Sequence, residues 1–257
     1  MIAVELMVLA SAVAFAAVGG GVGVKLLWLA RRTRGFPELV VGFSLFVLAG
    51  VSWPLMLVAS SPTPPPAPVL RGALACASLA MALGWAGVFL FTWRVFRPGN
   101  RWARALAGAG IALELAAGMA GVLRALTLED ALALRTPAPS GLALLLGALA
   151  VYAWTAAESF HYRALLRRRI PLGLADPLVA DRFGLWGWTG VFGAGSIAPA
   201  AWAMLTGGDP NSLLSHLVVG VCGLVSSGVL YLAFLPPTAY ARFVRENAPA
   251  PVSESGP

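Results

Sequence analysis

YRALLRRRIPLGLADPLVADRF, Tyr162 to Phe183, gathers five arginines and two aspartates in one stretch of a chain that is otherwise mostly hydrocarbon. In a soluble protein such a run suggests nucleic acid, and the formal charge of +7 with a pI near 10.4 points the same way. The residues on either side decide otherwise. Of 257 residues, 59% are apolar and only 11% charged, and the mean hydropathy is +0.81. A soluble domain is about 45–50% apolar and about 25% charged. This chain cannot cover itself with polar groups, so lipid must do so. The basic stretch is then the wet edge of a membrane protein, and no nucleic acid is needed to explain it.

Working outward from that edge, the apolar runs can be counted. A bilayer core of about 30 Å takes an apolar helix of about 20 residues. Seven segments qualify, near 3–30, 38–60, 72–96, 103–126, 141–163, 182–206 and 212–236. Open sheet edges cannot be satisfied in lipid and no period-2 barrel pattern is present, so helices are expected. The fold class is an all-α membrane protein, a single seven-transmembrane-helix bundle over residues 1–246. SAVAFAA in the first segment looks like a cleavage site. The leader, however, carries Glu5 and no cation, and the apolar run continues to Ala30, which argues for a retained helix.

Orientation follows from the arginines. Arg31, Arg32 and Arg34 follow the first segment, and Arg94, Arg97, Arg101 and Arg104 the third. Arg163, Arg167, Arg168, Arg169 and Arg182 follow the fifth, with Arg242 and Arg245 in the tail. Only Arg71, Arg124 and Arg135 fall on the other side. The N-terminus is expected outside and the C-terminus in the cytoplasm, with Lys25 snorkelling to the inner interface. One lysine against seventeen arginines, with an excess of Ala, Gly and Pro, points to a GC-rich bacterial source and hence a bacterial inner membrane.

The opening stretch becomes the third cytoplasmic loop, and it has structure. The fifth helix should run on through Arg169 until Pro171 and Gly173 break it. Asp176 is a good N-cap, with Pro177 at the first helical position. Arg167, Arg168, Arg169 and Asp176 thus form a cytoplasmic platform for an anionic lipid or a protein partner, although anchoring by charge alone also accounts for it. SPTPPPAP (61–68) reads as an extended outer strap, TLEDALALRTPAPS (127–140) as a surface segment with a short amphipathic turn, and GGDPN (207–211) as a tight turn. Residues 247–257 read as a disordered cytoplasmic tail.

Few side chains can carry chemistry. Glu114 lies half-way along the fourth segment, where an acid costs about 2.5–3.5 kcal/mol on insertion scales and is a functional candidate by default. The bland alternative is a neutral carboxyl bonded to a neighbouring backbone carbonyl or serine. His216, with Ser215 and Ser212 nearby, could meet Glu114 or a ligand; it could equally be a packing histidine. Glu158 approaches the inner end of the fifth segment with His161 one turn on, and pairing with Arg94 or Arg182 would close that end. Trp53-Pro54, and Pro199 with Trp202, can kink helices and place aromatics around a cavity. Gly184, Gly187, Gly190 and Gly193 form a ladder on the sixth segment, and Gly19 and Gly23 a small-xxx-small pair on the first; both suit close helix packing.

Two histidines at opposite depths and two cysteines in apolar runs argue, on inventory, against a metal site or bis-histidine haem. The last segment, SLLSHLVVGVCGLVSSGVLYLAF, holds no lysine for a retinal Schiff base. Nucleophile elbows, Walker loops and dinucleotide fingerprints are absent. No catalytic residue, cofactor or metal is expected, and an enzyme is not the reading of choice.

The architecture resembles that of rhodopsins and G-protein-coupled receptors. PPTAY, Pro236 to Tyr240, is similar to the receptors' proline-x-x-tyrosine after their seventh helix, Arg94 ends the third segment as their arginine does, and Pro199 lies in the sixth. The departures are larger: Trp93 precedes Arg94 in place of an acid, Pro236 stands where asparagine is expected, and Cys76 has no disulfide partner. The likeness is one of architecture. Three-plus-one-plus-three transporters share the span count, but their proline-glutamine signature is missing.

The leading expectation is a receptor-like or sensor-like protein that binds a small, largely apolar ligand between the second, third, sixth and seventh helices and signals through its cytoplasmic loop between the fifth and sixth. Glu114 and His216 would be its polar contacts, with Trp53, Trp85 and Trp202 as walls. The alternatives are a proton-coupled transporter using Glu114 and a structural subunit of a membrane complex. Homo-oligomers are compatible with each.

Overall fold

A computed structural model describes residues 2–61, 63, 65–128, 138–209 and 212–248, with side chains from Leu6 onward. It is 89% helix, with no strand among the described residues. The elements are α1 (Ile2–Thr33), α2 (Phe36–Leu45), a π-helical segment (Phe46–Ser52), α3 (Trp53–Ala59), α4 (Ala67–Phe96) and α5 (Arg101–Thr127). There follow α6 (Pro139–Arg169), a 3-10 turn (Ile170–Leu172), α7 (Pro177–Thr206), α8 (Leu213–Phe234) and α9 (Thr238–Glu246).

Among the described residues, six helices are long and apolar enough to cross a membrane: Leu6–Thr33, Phe36–Ala59, Ala67–Phe96, Arg101–Thr127, Pro139–Leu172 and Leu213–Phe234. The chain is a multi-pass membrane protein. The second of these runs unbroken from α2 through the π segment into α3. α7 is outside that set, although its 30 residues are ample in length. Its glycines and tryptophans carry less hydropathy than the aliphatic residues that fill the other six. The expected surface turn within 127–140 with Arg135, the turn residues Pro210 and Asn211, and the tail beyond Ala248 lie outside the described residues.

Local chemistry sets the ends. Asn100 caps α5 by accepting from the Trp102 N–H at 3.1 Å, and Asp176 caps α7 by accepting from Leu178 at 2.8 Å, with Pro177 following. These satisfy amides that the first helical turn leaves orphaned. Gly173 and Gly207 adopt left-handed backbone (φ 68° and 69°) to end the 3-10 turn and α7. Pro54 offers no N–H, and its ring crowds the carbonyl four residues back. The widened segment just before it adapts the ladder, so that the Trp53 N–H bonds Leu48 five residues back.

The rods form a closed ring. Each packs on the next in sequence, α8 returns against α1, and α4 also reaches α6 through the middle. α5 packs chiefly on α4 and α6 and is the peripheral rod. Bare backbones permit the close approaches: a Cβ at Gly23 would lie 2.6 Å from the Phe46 amide, and one at Gly42 2.9 Å from that of Leu27. Phe89, Leu70, Leu230 and Val151 fill the interior, while Leu39, Leu113, Leu146, Val191 and Val221 stay exposed on the flanks, as a lipid-facing surface requires. α9 turns Tyr240 and Val244 toward the bundle and leaves Phe243 exposed.

Candidate functional site

The glycine ladder of α7 is a set of seats for α6. A Cβ on Gly184 would press on the Arg163 guanidinium, one on Gly187 on the Phe160 ring, and one on Gly193 would stand 2.6 Å from the Tyr152 ring. Small residues on one helix thereby admit large ones from its partner. Tyr152 is held in this way beside the bundle axis, edge-on to Trp85 with ring centroids 4.8 Å apart.

An axial cavity of ≈ 50 Å³ opens there, walled by Phe15, Trp53, Trp85 and Tyr152. Its polar margin is three hydroxyls. Ser11 donates to the Val8 carbonyl (2.8 Å), Ser196 to Gly193 (2.7 Å) and Ser226 to Thr189 (3.3 Å). Each keeps lone pairs free to accept. The Tyr152 hydroxyl has no protein partner among the described residues. A smaller void of ≈ 20 Å³ continues past Phe15, Trp85 and Tyr152 to Thr155, whose hydroxyl meets that of Thr92 at 2.7 Å. The arrangement suits a molecule of a few heavy atoms that is mostly apolar and carries a single acceptor for the phenol.

Of the residues expected at a ligand site, Trp53 and Trp85 line this cavity, whereas Glu114, His216 and Trp202 do not. Trp202 is nine residues past Gly193, half a rotation around the helix wheel, and is 68% exposed on the flank. His216 stands one turn beyond Val219, the cavity's nearest residue on α8. Glu114 is fully buried at the seam of α5 and α6, on the far side of α6 from the axis. Its Oε1 lies against Gly147 so closely that a Cβ there would collide, and neither oxygen has a hydrogen-bond partner among the described residues. The backbone or serine partner expected for a purely structural carboxyl is thus not supplied.

At the arginine-rich end, Glu158 is 6% exposed and well satisfied. Its two oxygens accept from Arg97 Nε at 2.9 and 3.0 Å, and Oε1 also accepts from Trp154 Nε1 at 3.3 Å. The partner is neither Arg94 nor Arg182, which corrects the expected pairing. α4 stops at Phe96, and Arg97 leaves helical backbone (φ −139°), placing its side chain back against α6. Arg94 lies over the Trp93 and Phe36 rings, 4.9 and 5.8 Å from their centroids. Arg182 is exposed with no ion pair among the described residues.

Beyond this pair the α6–α7 hairpin carries the platform. Arg167, Arg168 and Arg169 occupy the exposed last turn of α6 and pair with nothing among the described residues. α9 is pinned beneath: Tyr240 donates to Asp181 at 2.6 Å, Asp181 lies 3.9 Å from Arg163, and Arg245 reaches Asp176 at 3.4 Å. Burial first, and then the Asp181 bond and charge, push the Tyr240 hydroxyl up to about 12, against a smaller opposing effect of Arg163. Between hairpin and α9 lies a groove of ≈ 360 Å³.

No three His, Cys, Asp or Glu side chains converge among the described residues. Comparison with protein-family models, curated proteins and solved structures finds no match to this chain. Sequence reasoning missed Tyr152, the three cavity serines and Arg97. A signal for the first was present: Tyr152, Thr155 and Ser159 recur at three- and four-residue spacing, a polar stripe on an apolar helix.

Proposed function

We propose that the protein is a sensor-like seven-span protein of a bacterial inner membrane that binds a small, largely apolar, oxygen-bearing molecule in the axial cavity. α7, sixth in chain order, completes the seven because it is 30 residues long and packs on both α6 and α8. The arginine asymmetry supports an N-terminus outside and a C-terminus in the cytoplasm. The carrying observation is the cavity itself, walled by aromatics from four different rods and offered one unpaired phenol. The site residues in this reading are Trp53, Trp85 and Tyr152 with Ser11, Ser196 and Ser226. Glu114, His216 and Trp202 drop out of direct contact. Its volume in this state suits a few heavy atoms; a larger ligand requires the rods to part.

The test is a thermal-shift screen of the purified protein with short-chain alcohols, ketones and ethers. Binding to the folded state alone raises its stability with ligand concentration. The shift should vanish in Ala12→Phe, which fills the cavity, and weaken in Tyr152→Phe. Shifts that survive Ala12→Phe would move the ligand elsewhere. A second reading, proton-coupled transport, is favoured by the unpartnered Glu114 carboxyl. Gradient-driven flux in liposomes that drops in Glu114→Gln would support it, and no flux under any gradient removes it.

A further inference from the structure

We propose that the tip of the α6–α7 hairpin and the adjoining groove form a docking site for an acidic segment of a cytosolic protein, anchored by an apolar side chain. The inference rests on the inner-face orientation given above and not on the axial ligand.

Leu172 and Leu174 are 64% and 72% exposed, yet they belong to the turn beyond Arg169 and not to the flank of the bundle. The fifth apolar segment of the sequence ends at Arg163, and Arg169 stands six residues further on, a rise of about 9 Å at 1.5 Å per residue. A headgroup layer is about 5–8 Å deep on each side. The tip therefore clears the lipid surface that would otherwise take its leucines, and a protein surface is the fitting cover. Leaving each leucine in water forgoes the stabilisation that burial would return.

The groove supplies the complement. Buried Ile170 and Ala180, with Pro177 and Val244, make an apolar floor. Arg167 forms its rim, and Arg168 and Arg169 stand beside it. The two aspartates nearby are already engaged, Asp176 by Arg245 and Asp181 by Arg163 and Tyr240. Against the exposed Glu246 on α9 stand Arg167, Arg168 and Arg169, so the net unspent charge is positive and the matching partner is acidic, with a leucine-like residue for the floor.

The full chain, carrying Cys76→Ala, Cys222→Ala and Leu174→Cys, is labelled at the tip with an environment-sensitive dye and placed in nanodiscs of zwitterionic lipid. The probe is a synthetic amphipathic peptide with leucines at helical spacing and glutamates elsewhere. It should shift the dye to the blue, and Leu172→Asp or Arg167→Glu should weaken binding about tenfold, the loss of one anchoring contact. A peptide with lysine for glutamate, or glutamine for leucine, should not bind. Three outcomes overturn the proposal: no blue shift with the acidic peptide, equal binding of all three peptides, or a shift caused by anionic lipid alone. Maleimide labelling of the Leu174→Cys protein in intact against broken spheroplasts reads the orientation separately. Failure of the docking site and failure of the topology are thereby told apart.

Discussion

Two buried glutamates divide this protein's polar chemistry between them. Glu158 sits near the arginine-rich end with a two-oxygen grip on Arg97 and an indole N–H from Trp154. Glu114 is equally hidden, faces the bare backbone of Gly147, and has no partner among the described residues. A buried carboxyl that is fully bonded holds helices together, whereas one that is not weakens the fold it occupies. The pair in contact is thus a fastening, and the solitary acid fastens nothing among the described residues.

The comparison can be broken at its strong side first. Arg97→Ala should lower stability by about 2–3 kcal/mol, short of the about 3–5 of a fully buried pair because Arg97 is partly exposed. Replacing both partners by leucine should recover most of that loss. Unfolding in mixed detergent reads the change, and a tolerant Arg97→Ala would mean the fastening does not bear on the fold. Next comes the seam. Gly147→Ala should cost about 1–3 kcal/mol by overpacking, and the penalty should shrink in a Glu114→Ala background. An additive double mutant would show that the two residues do not press on one another.

Smaller and opposite in sign is Glu114→Leu, which should leave stability unchanged or raise it by about 1 kcal/mol, since an unpaired polar group leaves the interior. A marked loss would reveal a partner that the structure does not show. The smallest effect lies at α9. The Tyr240 hydroxyl is raised in the folded state to about 12, so its contribution is complete below the ordinary tyrosine range near 10 and is lost as pH climbs through about 12. Hydrogen exchange in α9 should be flat in its protection up to the lower value and rise above it. Tyr240→Phe should abolish that pH dependence.

The rods were readable because their signal is additive: some twenty aliphatic residues in a row outvote any single polar one. α7 is the instructive case. It reads as an apolar run in the sequence, yet its glycines and tryptophans dilute hydropathy and keep it out of the six helices apolar enough to cross, while those same residues let it nestle against α6. The site was legible only in part. Trp53 and Trp85 announce themselves as bulky groups next to helix breaks or at mid-depth. Glu114 also announces itself, but depth says nothing about azimuth, and the azimuth turns it to the seam and away from the cavity. Arg97 could not be chosen over Arg94, because the choice depends on one backbone angle at the end of α4.

The widened stretch Phe46–Ser52 gives the second rod one residue more than its own ladder can use. Were that slack taken up, everything beyond it would swivel by about 100°, the step of a single residue. Trp53 would leave the cavity and another face of α3 would arrive in its place. The place of Trp53 on the cavity wall thus hangs on one extra residue in the widened stretch before it.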